Sequence, residues 1–125
     1  MFRATSRHDP DATITCLEAA IEAEGMFLLC HIPASDNVAR AGMTSPFHQV
    51  MEVLHPHYAA RVWQAREDAG LAIPVRGHIY EAQTGDVRVD WQRPSVNLGS
   101  YPEPELADIG RDLDPIFERI VNAVT

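Results

Sequence analysis

Hydrophobic residues recur with a helical period in three segments of the chain and with strand-like spacing between them. The first helical segment starts at Pro10 after Asp9, a strong N-cap residue, and ends before Gly25. The second starts at Pro56 and continues to about Gly70, with apolar residues at helical intervals. These patterns predict two helices, each with a proline in its first turn.

The third helical segment covers about 103–124 and contains Pro115, which cannot donate the backbone hydrogen bond of a regular helix. Its apolar stripe keeps one phase on both sides of the proline, which favours a single kinked helix with Asp114 as a cap. A shorter helix or turn is predicted over residues 33–42, with Ser35 as its candidate cap.

Five further segments have the length and composition of β-strands: residues 2–6, 26–32, 47–54, 74–82 and 86–93. The last two flank a short turn that contains Gly85, which predicts a hairpin and therefore an antiparallel pair. Mixed helices and strands with such a hairpin predict an α+β two-layer sandwich, a mostly antiparallel sheet with helices on one face. A length of 125 residues favours one domain over residues 1–125.

Side chains alternate between the two faces of a strand, so the composition of each face can be predicted. One face is apolar and must lie under the helices, and within residues 26–32 it is predicted to comprise Met26, Leu28, Cys30 and Ile32. The other face mixes large apolar groups with charged groups and histidines. Its predicted members are Phe27, Leu29, His31, His48, Val50, Glu52, Arg76, His78, Tyr80, Arg88, Asp90 and Gln92. A half-apolar, uncovered face is typical of an interface or of a pocket floor, which favours a homodimer through the exposed sheet face.

The histidines of this second face also suggest a metal site. His31, His48 and His78 with Glu52 make a ligand set that suits iron, zinc or manganese. Strand alternation predicts the face but not the register, so it does not show which of these residues are neighbours. Solvated or hydrogen-bonded histidines are the alternative interpretation.

A His-Pro-His segment, His55-Pro56-His57, stands where a predicted strand gives way to a predicted helix. A proline at the first helical position makes His55 the N-cap, for which histidine is a mediocre choice, so a cap and a ligand both stay open. Helix N-termini favour anionic groups such as propionates. A cofactor site, with haem as one ligand, is therefore predicted either in this loop at His55 and His57 or on the second face at His78. Arg76 or Arg88 would offset a negative charge of the cofactor.

The composition excludes several classes of function. A net charge of −8 argues against a nucleic-acid partner. All ten basic residues are arginine, so no lysine is present for a Schiff base or a phosphate-binding loop. No apolar run is long enough to cross a membrane, and the first residues lack the apolar segment of a signal peptide. With two cysteines in apolar contexts, these features predict a cytoplasmic protein without a membrane partner.

Several motifs resemble the domain-of-unknown-function 302 family. Ser6, His8, Thr13, Leu17 and Gly25 stand where that family has an S-x-H turn and a T-x-x-x-L helix that ends in glycine. "VARAGM" resembles the family's A-x-x-A-G-L helix, and "GLAIPVRGHIYEAQTGDVRVDWQRP" resembles its G-L-D-L-P-L-K-V-L-V-Y-E stretch with the D-G turn and D-P that follow. The resemblance covers nearly the whole chain and implies a compact α+β domain, commonly dimeric, with no agreed reaction.

Two places depart from the family pattern. Ile32-Pro33-Ala34 stands where the family often has I-D-H, and Val53-Leu54-His55-Pro56 stands where it commonly has F-G-N-P before a Gly-Thr-rich turn. Only the proline is retained, and a helix-like segment replaces the turn. If those family positions form a binding loop, this chain has lost or exchanged that ligand.

Three functional hypotheses follow. The first is a small, dimeric, non-enzymatic binding protein for haem or a divalent transition metal, held through histidine. The second is an enzyme that uses His48 or His78 with Glu52 or Asp90 for acid–base chemistry. The third is a plain dimeric interaction module without a small ligand.

Overall fold

The computed structural model describes all residues from Met1 to Thr125 and contains five strands and five α-helices. Their bounds are β1 Phe2–Thr5, α1 Pro10–Ala23, β2 Phe27–Ile32, α2 Ala34–Arg40, β3 His48–Leu54, α3 Pro56–Ala65, β4 Val75–Glu81, β5 Val87–Trp91, α4 Pro94–Leu98 and α5 Pro104–Asn122. A 3₁₀ turn over Glu67–Ala72 follows α3. The predicted α+β sandwich is confirmed, and no helix is long and apolar enough to cross a bilayer.

The strands form one antiparallel sheet in the order β1-β5-β4-β3-β2. Strand β4 is therefore the middle strand, and the predicted hairpin of β4 and β5 is present. The two edges are β1 and β2, which come first along the chain and lie farthest apart in the sheet. Because sequence neighbours are not all sheet neighbours, this order could not be read from the alternation of elements.

The covered face of the sheet forms the hydrophobic core. Met51, Val53, Ile79 and Val89 are essentially inaccessible to water, and they pack with apolar residues of α1 and α5. Trp91 lies over Gly77 on the neighbouring strand, where a Cβ atom would come within 2.2 Å of the indole ring. Each large side chain buried in this way stabilises the fold by roughly 1.5–3 kcal/mol.

A β-bulge changes the alternation predicted for residues 26–32. Leu28 pairs with Val53, but Cys30 pairs with Glu52, so Leu29 is the extra residue. One extra residue reverses the face of every side chain that follows it. The predicted positions of Cys30, His31 and Ile32 are therefore wrong: Cys30 and Ile32 lie on the uncovered side, and His31 lies on the helix side.

Helix α5 continues through Pro115, so the prediction of a single helix is confirmed. Asp114 caps a different helix from the one predicted, because its carboxylate accepts the Ser95 N–H in the first turn of α4. The sequence pattern did not predict α4. The close approach of α5 to α4 depends on Gly110, where a Cβ atom would lie 2.6 Å from the Ser95 Cα.

Candidate functional site

The uncovered side of the sheet, called here the open face, carries most of the chemistry-bearing side chains. The strand register arranges them in three rows that cross the sheet. The middle row is Arg3, Asp90, His78, Val50 and Ile32; the row on one side is Thr5, Arg88, Tyr80 and His48; the row on the other is Arg76, Glu52 and Cys30. His78 stands in the middle row of the middle strand, at the centre of this face.

Two histidines meet at this centre. His48 begins β3, and His78 lies on β4 one row away, so the two are diagonal cross-strand neighbours. His48 Nδ1 and His78 Nε2 are 3.0 Å apart, a hydrogen bond in which one ring donates its N–H to the lone pair of the other. The ring planes are nearly parallel, with 14° between them.

A tyrosine and a carboxylate support the pair. The Tyr80 ring stacks on His78, with centroids 4.6 Å apart, and its hydroxyl donates to Asp90 at 3.0 Å. Asp90 also accepts two hydrogen bonds from the Arg3 guanidinium, at 2.7 and 2.8 Å. The His78 ring is thus held against a tyrosine whose own position is set by hydrogen bonding.

The environment keeps the His78 imidazole neutral. Burial lowers the pKa of His78 below its ordinary value, the neighbouring His48 lowers it further, and the Asp90 carboxylate opposes the shift. The hydrogen bonds from Arg3 lower the pKa of Asp90, with burial opposing and the Tyr80 hydroxyl adding to the shift. At pH 7 the face therefore presents a neutral His78 beside an ionised Asp90.

Ser35 sets the position of His48. Its hydroxyl accepts the His48 N–H and donates to the His48 carbonyl, each at 3.2 Å. The cap predicted for α2 is not formed, since Pro33 is the N-cap residue and makes no side-chain bond. The Ser35 side chain instead connects the first residue of β3 to the first turn of α2 through hydrogen bonds.

The predicted metal ligands do not come together as one set. His31 lies on the helix side, where its Nε2 contacts the Gln49 side chain. Glu52 is on the open face, but its carboxylate is paired with Arg76 at 3.0 Å. Only His48 and His78 approach each other, and no group of three or more His, Cys, Asp or Glu side chains is arranged to hold a metal.

His55 acts as the helix cap. Its Nδ1 accepts the backbone N–H of His57 at 3.0 Å, and its ring packs on Phe27 with centroids 4.9 Å apart. A neutral imidazole that accepts at Nδ1 carries its proton on Nε2. Neither nitrogen of His55 then offers a free lone pair to a metal. In a ligating histidine one nitrogen binds the metal through its lone pair, and the N–H of the other nitrogen donates a hydrogen bond.

The predicted cofactor set is also divided. His78 pairs with Val50 on the neighbouring strand. His55 lies five residues after Val50, a separation of about 16 Å at the rise of a strand. His57 is exposed in the first turn of α3, and Arg76 is committed to Glu52. No single pocket contains all four side chains, although His78 and Arg76 both line one depression of about 170 Å³.

Several depressions in the surface lie near the predicted site residues. One of about 510 Å³ opens over His48, Tyr80 and Arg88, and one of about 170 Å³ opens over His78 and Asp90, so solvent reaches the histidine pair from both sides. An apolar depression of about 280 Å³ lies beside His55, below the usual range for drug-sized ligands. A charged hollow of about 400 Å³ between α3 and α5 contains no histidine.

The acid–base hypothesis requires a histidine that is hydrogen-bonded to a carboxylate. Asp90 is the direct cross-strand neighbour of His78, but its oxygens accept from Arg3 and Tyr80. No histidine donates to a carboxylate anywhere in the chain. Sequence reasoning placed Tyr80 and Asp90 on the second face but missed their link to Arg3, because that link requires β1 to pair with β5.

Comparison with other proteins gives a family and a fold. The family model described as "Domain of unknown function DUF302" matches residues 2–124. The crystal structure of an uncharacterized conserved protein DUF302 from Bacillus stearothermophilus is similar, with a TM-score of 0.91 and 21% sequence identity over 99% of this chain and 97% of that one. No curated protein matches the chain in sequence.

Proposed function

The chain belongs to the DUF302 family, and because that family's description names no activity, we propose from the site itself that this protein binds a divalent transition metal. His48 and His78 are the ligands, His48 through Nδ1 and His78 through Nε2. In this proposal the protein is a non-enzymatic binding module, and the metal takes the place of the proton that the two rings share.

The distance between the two ring nitrogens carries the proposal. Two imidazole nitrogens bound to one tetrahedral zinc ion at about 2.0–2.1 Å stand roughly 3.3–3.4 Å apart. His48 Nδ1 and His78 Nε2 are already 3.0 Å apart. Imidazole suits zinc, copper and nickel, so these are the metals that the pair favours.

The surroundings of the pair support binding rather than reaction. Ser35 holds the backbone of His48, and stacking on Tyr80 orients the His78 ring, so both ligands are fixed before a metal arrives. The nearby Asp90 contributes negative charge, although it is occupied by Arg3. No histidine–carboxylate hydrogen bond is present to serve as an acid–base pair, which disfavours the enzyme hypothesis.

Haem is less well supported than a bare ion. Two largely apolar depressions lie next to a histidine. The one beside His78 measures only about 170 Å³, and the one beside His55 measures about 280 Å³. The Nδ1 atom of His55 is used by the helix cap. Axial ligation through Nε2 would require a tautomer that breaks this cap. We therefore restrict the proposal to metal ions.

Equilibrium dialysis of the untagged protein against zinc chloride, followed by elemental analysis, tests the proposal. The wild-type chain should retain zinc. Loss of a metal's outer-shell partner costs about 10–100-fold in affinity, so His78→Gln, which removes a ligand, should weaken binding by at least that factor.

His31→Gln is the matched control, because His31 is an exposed histidine on the other side of the same sheet. It should bind zinc as the wild type does. Failure of the wild type to bind zinc, nickel or copper would overturn the proposal. So would equal loss of binding in the His31 and His78 variants.

A further inference from the structure

We infer that the metal site is shared by two copies of this chain, which pack open face to open face and bind one ion through His48 and His78 of each copy. The inference rests on the proposed function, since it names the partner that completes the same site. Its chemistry is that of a four-histidine site at the centre of a symmetric dimer.

One chain offers too few ligands for a stable site. Zinc is normally bound by four groups in structural sites and by three protein groups in catalytic ones. Within this chain only His48 and His78 converge, and no third histidine, cysteine or carboxylate joins them. Glu52 and Asp90, the nearest acidic side chains of the face, are held by Arg76 and Arg3. The missing ligands must come from outside the chain.

The position of the pair suits a two-fold axis. In a symmetric dimer the same patch meets itself, so groups at the centre of the patch meet their own copies. His78 lies in the middle row of the middle strand, and His48 is its diagonal neighbour. A two-fold axis that lies midway between the two sheets and runs parallel to the line through His48 and His78 brings all four imidazoles together.

The spacing of packed sheets also fits. Two sheets that pack face to face lie about 10 Å apart, so the midplane is about 5 Å from each. An imidazole that stands upright on a strand reaches that distance. The ion would then lie at the midplane with two rings from each side.

The charge of the open face favours a second copy as its partner. The whole chain carries −8, which makes two copies repel each other. The open face instead has three arginines, Arg3, Arg76 and Arg88, against Glu52 and Asp90, so it is close to charge balance. Repulsion between copies is therefore weakest when they meet through this face.

The face is also large enough. Strands about 4.8 Å apart give a five-stranded face roughly 24 Å wide and about 20 Å tall. Phe27, which is about half exposed and points to the opposite side from Leu28, extends it at the β2 edge. With its side-chain relief, this area is on the order of the ~800 Å² per partner that specific interfaces bury.

Native mass spectrometry and analytical ultracentrifugation of the full chain with cobalt chloride test the inference. The expected species is a dimer that holds one cobalt ion, with the visible absorption of a tetrahedral site. Cobalt should tighten the dimer at least about fivefold, the lower end of ordinary coupling between sites. His31→Gln should behave like the wild type, whereas His78→Gln and His48→Gln should each lose the ion.

The outcomes separate this inference from the proposed function. One cobalt ion on a monomer, or two on a dimer, overturns the shared site and leaves the metal proposal standing. An absence of cobalt and of zinc from the wild type overturns both. Cobalt bound equally well by both ligand variants also overturns both, because the ion would then lie elsewhere.

Discussion

The two faces of the sheet are built from the same five strands and have opposite character. On β4, Ile79 points into the core and is inaccessible to water, whereas its neighbour His78 stands at the centre of the open face. The covered face is held by close packing, as shown by Trp91 over Gly77. The open face is held by paired charges and hydrogen bonds. A step of one residue along a strand thus separates the groups that stabilise the fold from those that carry its chemistry.

The largest expected difference is in the free energy of unfolding when each of these two neighbours, Ile79 and His78, is substituted. Ile79→Ala should lower the free energy of unfolding by about 2–5 kcal/mol, because it removes buried methyl groups and leaves a cavity. His78→Gln should cost no more than about 1.5 kcal/mol, the contribution of one hydrogen bond. Urea denaturation of both variants measures the difference. Equal losses would show that the open face contributes to stability as strongly as the core.

A smaller effect is expected at the border of the two faces, where His55 caps α3. His55→Ala should lower the free energy of unfolding by about 0.5–2 kcal/mol, and His55→Asn should recover most of it, since asparagine is a better cap. Neither change should alter zinc binding. Thermal denaturation and zinc dialysis measure the two effects. Loss of zinc in either variant would mean that His55 is a ligand, contrary to its bond with the His57 N–H.

The smallest effect concerns pH and the ion pair of Arg3 with Asp90. The pKa of Asp90 is lowered in the folded chain, so its contribution to stability is present above the unfolded value near 3.9 and is lost as the pH falls through the lower folded value. Because Arg3 is half exposed and screened by solvent, the contribution should be about 1 kcal/mol or less.

Urea denaturation of the wild type and Asp90→Asn between pH 7 and pH 3 measures this contribution. The difference between the two proteins should be greatest above about pH 5 and shrink below the unfolded pKa near 3.9. A difference that grows as the pH falls would contradict the lowered pKa.

Much of the fold could be predicted from the sequence because its signals are local. Pro10 and Pro56 mark helix starts, and alternation assigns the faces of β3, β4 and β5 correctly. Alternation failed in β2 because a bulge has no distinctive residue here: Leu29 is one apolar residue in an apolar run. The short helix α4 was missed because its position depends on tertiary contacts, the Asp114 cap and the close approach of Gly110.

The site was less predictable than the fold because it depends on register. The sequence put His48 and His78 on one face but did not show that they are diagonal neighbours. It grouped His31 with them, and the bulge in β2 separates it. The link from Arg3 to Asp90 and Tyr80 joins three strands, one of them about 80 residues away in sequence, and nothing local marks it.

The bulge in β2 also places a thiol that can be labelled on the open face. By shifting the strand register it turns the exposed Cys30 thiol onto that face, opposite Glu52, while the other thiol, Cys16, is half-buried and donates to the Ala123 carbonyl. A maleimide or a fluorophore should therefore attach first to Cys30. The rate of that reaction reports whether the face is covered, in an otherwise unaltered chain.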